Sequence, residues 1–226
     1  MKWLSSVLMA GSFIFVLEAR ADFGAGINAY GSGDYATALR EFWAEAQKGD
    51  AAAQFNVGVM YAQGRGLPKD RLLAMQWYRL SAEQGFVPAQ CNVGALYEKG
   101  TDALPLYTEA VHWYRLAAEG GSPECQVNLS MMYYDGKGVA KSAAEARRWV
   151  KIAADNGSVP ALMTLARMCY EGRDGSKDYV EALMWSRIAA TRGSEAAVQL
   201  HDHLVKEMSL ADIQKAEEMA KSWLSR

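Results

Sequence analysis

The sequence predicts an all-α fold in which antiparallel helix pairs stack on one another in 36-residue repeats. The first observation is a tryptophan that returns at this fixed step, at Trp77, Trp113, Trp149 and Trp185. The second is that small residues keep the same step, with alanines at 82, 118, 154 and 190 and glycines at 85, 121, 157 and 193. A fixed period of this size is typical of arrays in which each repeat is one helical unit.

The first 21 residues resemble an export signal. Lys2 supplies a positive charge, Trp3–Leu17 is an apolar run, and Ala19-Arg20-Ala21 forms a small-x-small cleavage site. The run of about 15 residues is short for a bilayer, which needs about 20. We therefore expect residues 1–21 to be removed, so that no stable membrane span remains. An uncleaved anchor is the alternative.

Residues 22–226 are expected to form one repeat domain, which opens with a divergent first repeat at 22–50. Four regular repeats follow, at 51–86, 87–122, 123–158 and 159–194. In each repeat, apolar residues recur at steps of three and four, which is the spacing of one face of a helix. Glycines such as Gly64 and Gly85 are well suited to end these helices, because they accept the left-handed conformation of a C-cap.

The two remaining segments depart from the regular pattern. In repeat three, the loop Thr101–Tyr107 is more apolar than its counterparts, so it either packs on its own repeat or contacts a partner. Residues 195–226 begin as a sixth first helix and then change character. Ser209, followed by Asp212, indicates the capped start of an amphipathic helix. This last helix is expected to cover the end of the array.

Composition narrows the classes of function. The 226-residue chain has a formal net charge of -2 and lacks the basic stripe that nucleic-acid binding requires. No pattern of a catalytic, cofactor or metal site is present, and we expect a monomer without cofactors. His201 and His203 are two residues apart on a predicted helix, so they point in directions about 200° apart and are poorly placed to share a metal ion.

The three cysteines are Cys91, Cys125 and Cys169. Each occupies a position where other repeats carry apolar or packing residues, and three buried thiols are the favoured interpretation. A bridge between Cys91 and Cys125 is the alternative, because both lie near the same level of neighbouring first helices.

The repeat motif resembles a known family. The elements Ala-Gln-x-Asn-x-Gly, Gly-x-Gly and Trp-Tyr-Arg, followed by small residues and a glycine, match nearly throughout Gln54–Gly85. They match again over Gln90–Gly121, apart from the loop, where Gly-x-Gly is missing. They are similar to the Sel1-like repeat, a relative of the tetratricopeptide repeat. The resemblance, with the periodicity, implies a right-handed α-solenoid whose first helices line a concave face. It also implies scaffold functions, since members serve in signalling and envelope assembly.

A row of first-helix residues lies partly off the core face, and we predict that it lines a partner-binding groove. An asparagine recurs in the middle of this row, although asparagine is unfavourable inside helices. Its amide can both donate to and accept from a peptide backbone. Bracing between neighbouring helices is the alternative role. The predicted groove residues are Asn56, Val59, Gln63, Asn92, Lys99, Asn128, Met131, Asp135, Arg167 and Glu171.

The sequence therefore favours a non-catalytic module that binds a protein or peptide in the periplasm or cell envelope of a bacterium. One alternative is a β-lactam-binding or weakly hydrolytic protein, which is implied by secreted cysteine-rich relatives. Those relatives pair cysteines within each repeat, and this chain does not. Another alternative is a structural component that contacts the cell wall or associates with itself.

Overall fold

The computed structural model describes residues 22–100, 104–173, 175 and 177–225, which form twelve α-helices and no strands. The predicted signal at 1–21 lies outside the described residues. The helices are α1 (Phe23–Ser32), α2 (Tyr35–Gln47), α3 (Ala51–Gln63), α4 (Arg71–Glu83), α5 (Val87–Lys99), α6 (Tyr107–Glu119), α7 (Pro123–Asp135), α8 (Ala143–Asp155), α9 (Val159–Glu171), α10 (Tyr179–Thr191), α11 (Glu195–Glu207) and α12 (Leu210–Leu224).

Odd-numbered helices from α1 to α9 are the first helices of the repeats, and even-numbered helices from α2 to α10 are the second. Each helix from α1 to α10 packs against its successor along the chain, and the first helices α7 and α9 also contact each other. At the end of the array, α12 packs mainly against α10. There the ring of Trp223 lies 6.1 Å from that of Trp185. The predicted all-α array and its closing helix are confirmed.

The helix ends are determined by local chemistry. Asp50 and Asp70 begin α3 and α4, because their carboxylates accept hydrogen bonds from free backbone N–H groups of the first turn. At the other end of a first helix, Gly64 adopts the left-handed conformation with φ 72°. Gly138 is needed for a further reason. A Cβ atom there would lie 2.3 Å from the backbone of Tyr107 in the preceding repeat.

Glycine also allows the paired helices to approach closely. A Cβ atom on Gly58 would lie 2.7 Å from the ring of Tyr78, and one on Gly94 would lie 2.6 Å from the ring of Tyr114. In each case the tyrosine on the second helix fills the space above the glycine on the first. The tyrosine hydroxyls thereby reach the seam between one repeat and the next, where the predicted site lies.

Candidate functional site

The structure places the predicted groove residues at two levels of the first helices. Gln63, Lys99, Asp135 and Glu171 are the last residues of α3, α5, α7 and α9, and all four are exposed, as is Arg167. The remaining five lie in the middle of the helices and are half-buried: Asn56, Val59, Asn92, Asn128 and Met131. The row therefore has an exposed end and a half-buried centre.

Two of the asparagines contact a tyrosine of the preceding repeat. Burial raises the pKa of Tyr78 to about 12, although a hydrogen bond from the Asn92 side chain opposes this rise. Asn128 makes the equivalent hydrogen bond to Tyr114. Burial also raises the pKa of Tyr114. The Tyr114 hydroxyl donates a hydrogen bond to Glu98 Oε2 at 2.6 Å, and this bond raises the pKa of Tyr114 further. These contacts agree with the bracing alternative and leave a groove role for the asparagines as a prediction.

The third asparagine has a different environment. At the register of Tyr78 and Tyr114, the first repeat carries Phe42, which has no hydroxyl group. Asn56 Nδ2 instead donates to the carbonyl oxygen of Ala52, one turn back in its own helix, at 2.8 Å. The recurring asparagine is thus bonded between repeats only where a tyrosine faces it.

Several exposed members of the row are engaged within the chain. Gln63 accepts a hydrogen bond from the Tyr30 hydroxyl at 2.9 Å. Asp135 pairs with Lys137 at 2.9 Å, and Arg167 lies 3.7 Å from Glu171. Of these three contacts, only that between Tyr30 and Gln63 joins neighbouring repeats. Within the described ranges, no group of histidine, cysteine and acidic side chains could hold a metal ion.

Cys91 in α5 and Cys125 in α7 form a disulfide, with their Cα atoms 5.8 Å apart. The favoured interpretation of three buried thiols is therefore wrong for these two residues. It is correct for Cys169, which is buried and takes no part in a disulfide. The physical reason is that neighbouring first helices place residues 34 apart at the same level. The bridge joins two first helices directly.

An open hollow of about 450 Å³ lies beside this bridge. Its lining comes from α3, from the first turns of α5 and α7, and from the turn between α6 and α7: Phe55, Val87, Pro88, Cys91, Asn92, Gly120, Gly121, Ser122 and Glu124. Of the predicted groove residues, only Asn92 lines it. The sequence reasoning missed the hollow, although one signal exists. Position 120 is glycine, whereas the equivalent positions carry Lys48, Gln84, Asn156 and Arg192.

The repeats of this chain match those of a known family. The model of the Sel1 repeat matches residues 51–86, 87–122, 123–158 and 159–194. The chain belongs to the Sel1 repeat family. Proteins with Sel1 repeats generally mediate protein–protein interactions and are generally non-catalytic. The resemblance seen in the sequence is confirmed, as is the 36-residue spacing.

Solved structures agree with this membership. A Sel1 repeat protein from Oxalobacter formigenes is 30% identical, has a TM-score of 0.73, and the match covers 87% of this chain and 80% of that one. The protective antigen c5321 of uropathogenic Escherichia coli, which displays an SLR fold, is 27% identical with a TM-score of 0.53. That match covers 89% of this chain and 52% of the antigen.

The immunity protein Pa5087 of Pseudomonas aeruginosa shares the fold, with a TM-score of 0.53 at 17% identity over 88% of this chain and 80% of its own. No curated protein sequence matched the Sel1 repeat chain. In the part of the chain that the structure describes, no helix has both the length and the apolar character that crossing a membrane requires.

Proposed function

We propose that this Sel1 repeat protein is a non-catalytic interaction module of the bacterial cell envelope, which holds a protein or peptide partner on the face formed by its first helices. The observation that carries the proposal is the run of four matched Sel1 repeats, since such repeats typically bind proteins. A solenoid presents an extended surface, because each repeat adds one helix to the same face.

The envelope location is supported by two independent features. Residues 1–21 have the pattern of an export signal. In addition, Cys91 and Cys125 are joined by a disulfide, and structural disulfides persist in the periplasm but are rare in the cytosol. Fusing residues 1–30 to alkaline phosphatase, which is active only after export, tests this part. An active fusion supports export, and an inactive but expressed fusion contradicts it.

Affinity capture from envelope extracts tests partner binding. The exposed cations Lys99 and Arg167 are better targets than the asparagines, because Asn92 and Asn128 also brace the repeats. We expect Lys99→Glu with Arg167→Glu to lose a partner that the unmodified protein captures, without lowering the melting temperature. Lys206→Glu, on the exposed face of α11, is the matched control. Capture of no specific protein by any form would contradict the proposal.

The non-catalytic part of the proposal is tested separately. We expect the purified protein to leave nitrocefin unhydrolysed, since its one described disulfide joins neighbouring repeats instead of pairing cysteines within each repeat. Turnover that survives repeated purification and disappears on denaturation would favour the β-lactam alternative.

A further inference from the structure

The hollow beside the disulfide differs chemically from the rest of the first-helix face. Its volume of about 450 Å³ lies within the range of about 300–1,000 Å³ typical of ligand sites. Phe55, Val87 and Pro88 give it an apolar floor and wall. Pro88 and Glu124 are exposed, so the hollow opens to solvent. It can therefore receive a side chain that projects from a partner lying along the surface.

Gly120 lines the hollow and has no side chain to occupy it. A Cβ atom on Gly120 would lie 2.5 Å from Val87 Cγ2, so glycine permits Val87 to pack against this turn. Side chains of lysine, glutamine, asparagine or arginine stand at this position in the other repeats. Among the equivalent positions of the repeats, glycine therefore stands only in the turn between α6 and α7, beside the hollow.

The seam that begins at the hollow is acidic. Glu124 stands at its rim, and Glu98 lies further along α5. Both carboxylates raise the pKa of Tyr114, after the larger effect of burial. Among the described residues, no cation lies within 4.0 Å of either carboxylate, and the nearby Lys137 is paired with Asp135. Two carboxylates without a close cation favour a positively charged ligand.

The end of α6 adds a further carboxylate. Glu119, the last residue of α6, directly precedes the lining residue Gly120 and is exposed. A cation that approaches the hollow therefore meets Glu119 as well as Glu124 and is attracted before contact.

We propose that the hollow anchors an apolar side chain of an extended protein segment that carries a lysine or arginine beside it, with Glu124 receiving the cation. This inference rests on the proposed function and specifies the class of partner. The apolar side chain is buried against Phe55, Val87 and Pro88, while the adjacent cation stays at the acidic rim. Buried anchors surrounded by a polar rim carry most of the free energy in protein interfaces.

The experiment pans a random heptapeptide phage library on the purified protein with its disulfide intact. Enriched peptides are then synthesised, and their dissociation constants are measured for four variants. Pro88→Trp fills the hollow from its exposed rim, and Pro160→Trp is its control at the same position of α9. Glu124→Gln removes the rim charge, and Glu195→Gln is its control at the start of α11. Circular dichroism melts establish that all four are folded.

We expect enrichment of peptides that join an aromatic or aliphatic residue to a lysine or arginine. Pro88→Trp should weaken their binding about tenfold or more, which corresponds to about 1.4 kcal/mol. Glu124→Gln should weaken binding several-fold and reduce its salt dependence, because charge attraction is screened by salt. Both controls should bind as the unmodified protein does.

Three results would overturn the inference: no enrichment, enrichment of acidic peptides, or equal weakening by Pro88→Trp and Pro160→Trp. Its failure is distinguishable from failure of the proposed function. If the unmodified protein and Pro88→Trp capture the same envelope protein equally well, the module binds through another surface and the hollow is not the anchor. If neither captures any protein, the proposed function itself fails.

Discussion

Two neighbouring seams of the array are held together by different means. The bridged seam, between α5–α6 and α7, contains the Cys91–Cys125 disulfide and the hydrogen bonds of Tyr114. The unbridged seam, between α7–α8 and α9, has valine and threonine at the registers of Tyr114 and Asn128. There Arg147 of α8 donates to the thiol of Cys169 and pairs with Glu181 of α10.

The difference shows that equivalent positions in successive repeats can hold neighbouring repeats together through different kinds of interaction. In a solenoid each repeat contacts only its neighbours, so each seam must supply its own stability. The bridged seam uses a covalent bond and a buried hydroxyl, whereas the unbridged seam uses apolar packing and a partly buried ion pair. The predictions that follow test whether these means contribute unequally.

Removing the disulfide should have the largest effect. We expect Cys91→Ala with Cys125→Ala to lower the free energy of unfolding by about 2–4 kcal/mol, because the bridge limits the freedom of the unfolded chain. Urea denaturation followed by circular dichroism measures the change. Dithiothreitol should destabilise the unmodified protein and leave the double variant unchanged. A loss below about 0.5 kcal/mol would show that the bridged seam is held without its covalent bond.

Alkaline pH should weaken the seams that contain tyrosines. The folded pKa of Tyr78 is raised from 10.0 to about 12, so the folded state retains this proton after the unfolded state has lost it. The contribution is fully present below pH 10 and is lost as pH rises towards 12, amounting to about 2–3 kcal/mol. Tyr78→Phe should flatten the fall in melting temperature above pH 10. An unchanged slope would contradict this assignment.

Breaking the ion pair of the unbridged seam should cost about 1–3 kcal/mol, since Arg147→Met leaves the Glu181 carboxylate partly buried without its partner. The two side chains are 29% and 24% exposed, so solvent screens part of the attraction. Burial alone lowers the pKa of Arg147, but its hydrogen bonds to Cys169 and Glu181 outweigh this and raise it. The double change Arg147→Met with Glu181→Gln should recover part of the loss in the same urea titration.

A change away from both seams should have the smallest effect. Arg79 and Glu83 pair on the surface of α4 at 3.1 Å, and their side chains are 50% and 52% exposed. We expect Arg79→Ala to alter the melting temperature by an amount equivalent to less than about 0.5 kcal/mol. A loss as large as that of Arg147→Met would mean that the array responds to any lost charge, and the contrast between seams would disappear.

The sequence predicted the fold because the 36-residue step repeats in tryptophan, alanine and glycine at once. It did not decide the disulfide, since pairing depends on a Cα distance that register alone leaves open. The contacts of Asn92 with Tyr78 and of Asn128 with Tyr114 could have been inferred, because both pairs keep the same offset. For the hollow, glycine at position 120 is a signal, but its size could not be predicted, since it results from the volumes of side chains on four different segments.

The disulfide also has a mechanical consequence. When a stack of helix pairs is stretched, neighbouring repeats can separate between their first helices or between their second helices. Because a covalent bond joins Cys91 in α5 to Cys125 in α7, these two first helices cannot separate at that level while the bond is intact. When a molecule held at its two ends is pulled, we therefore expect the repeats without a disulfide to separate and unfold first. The hollow beside the bridge should keep its shape until those repeats have unfolded.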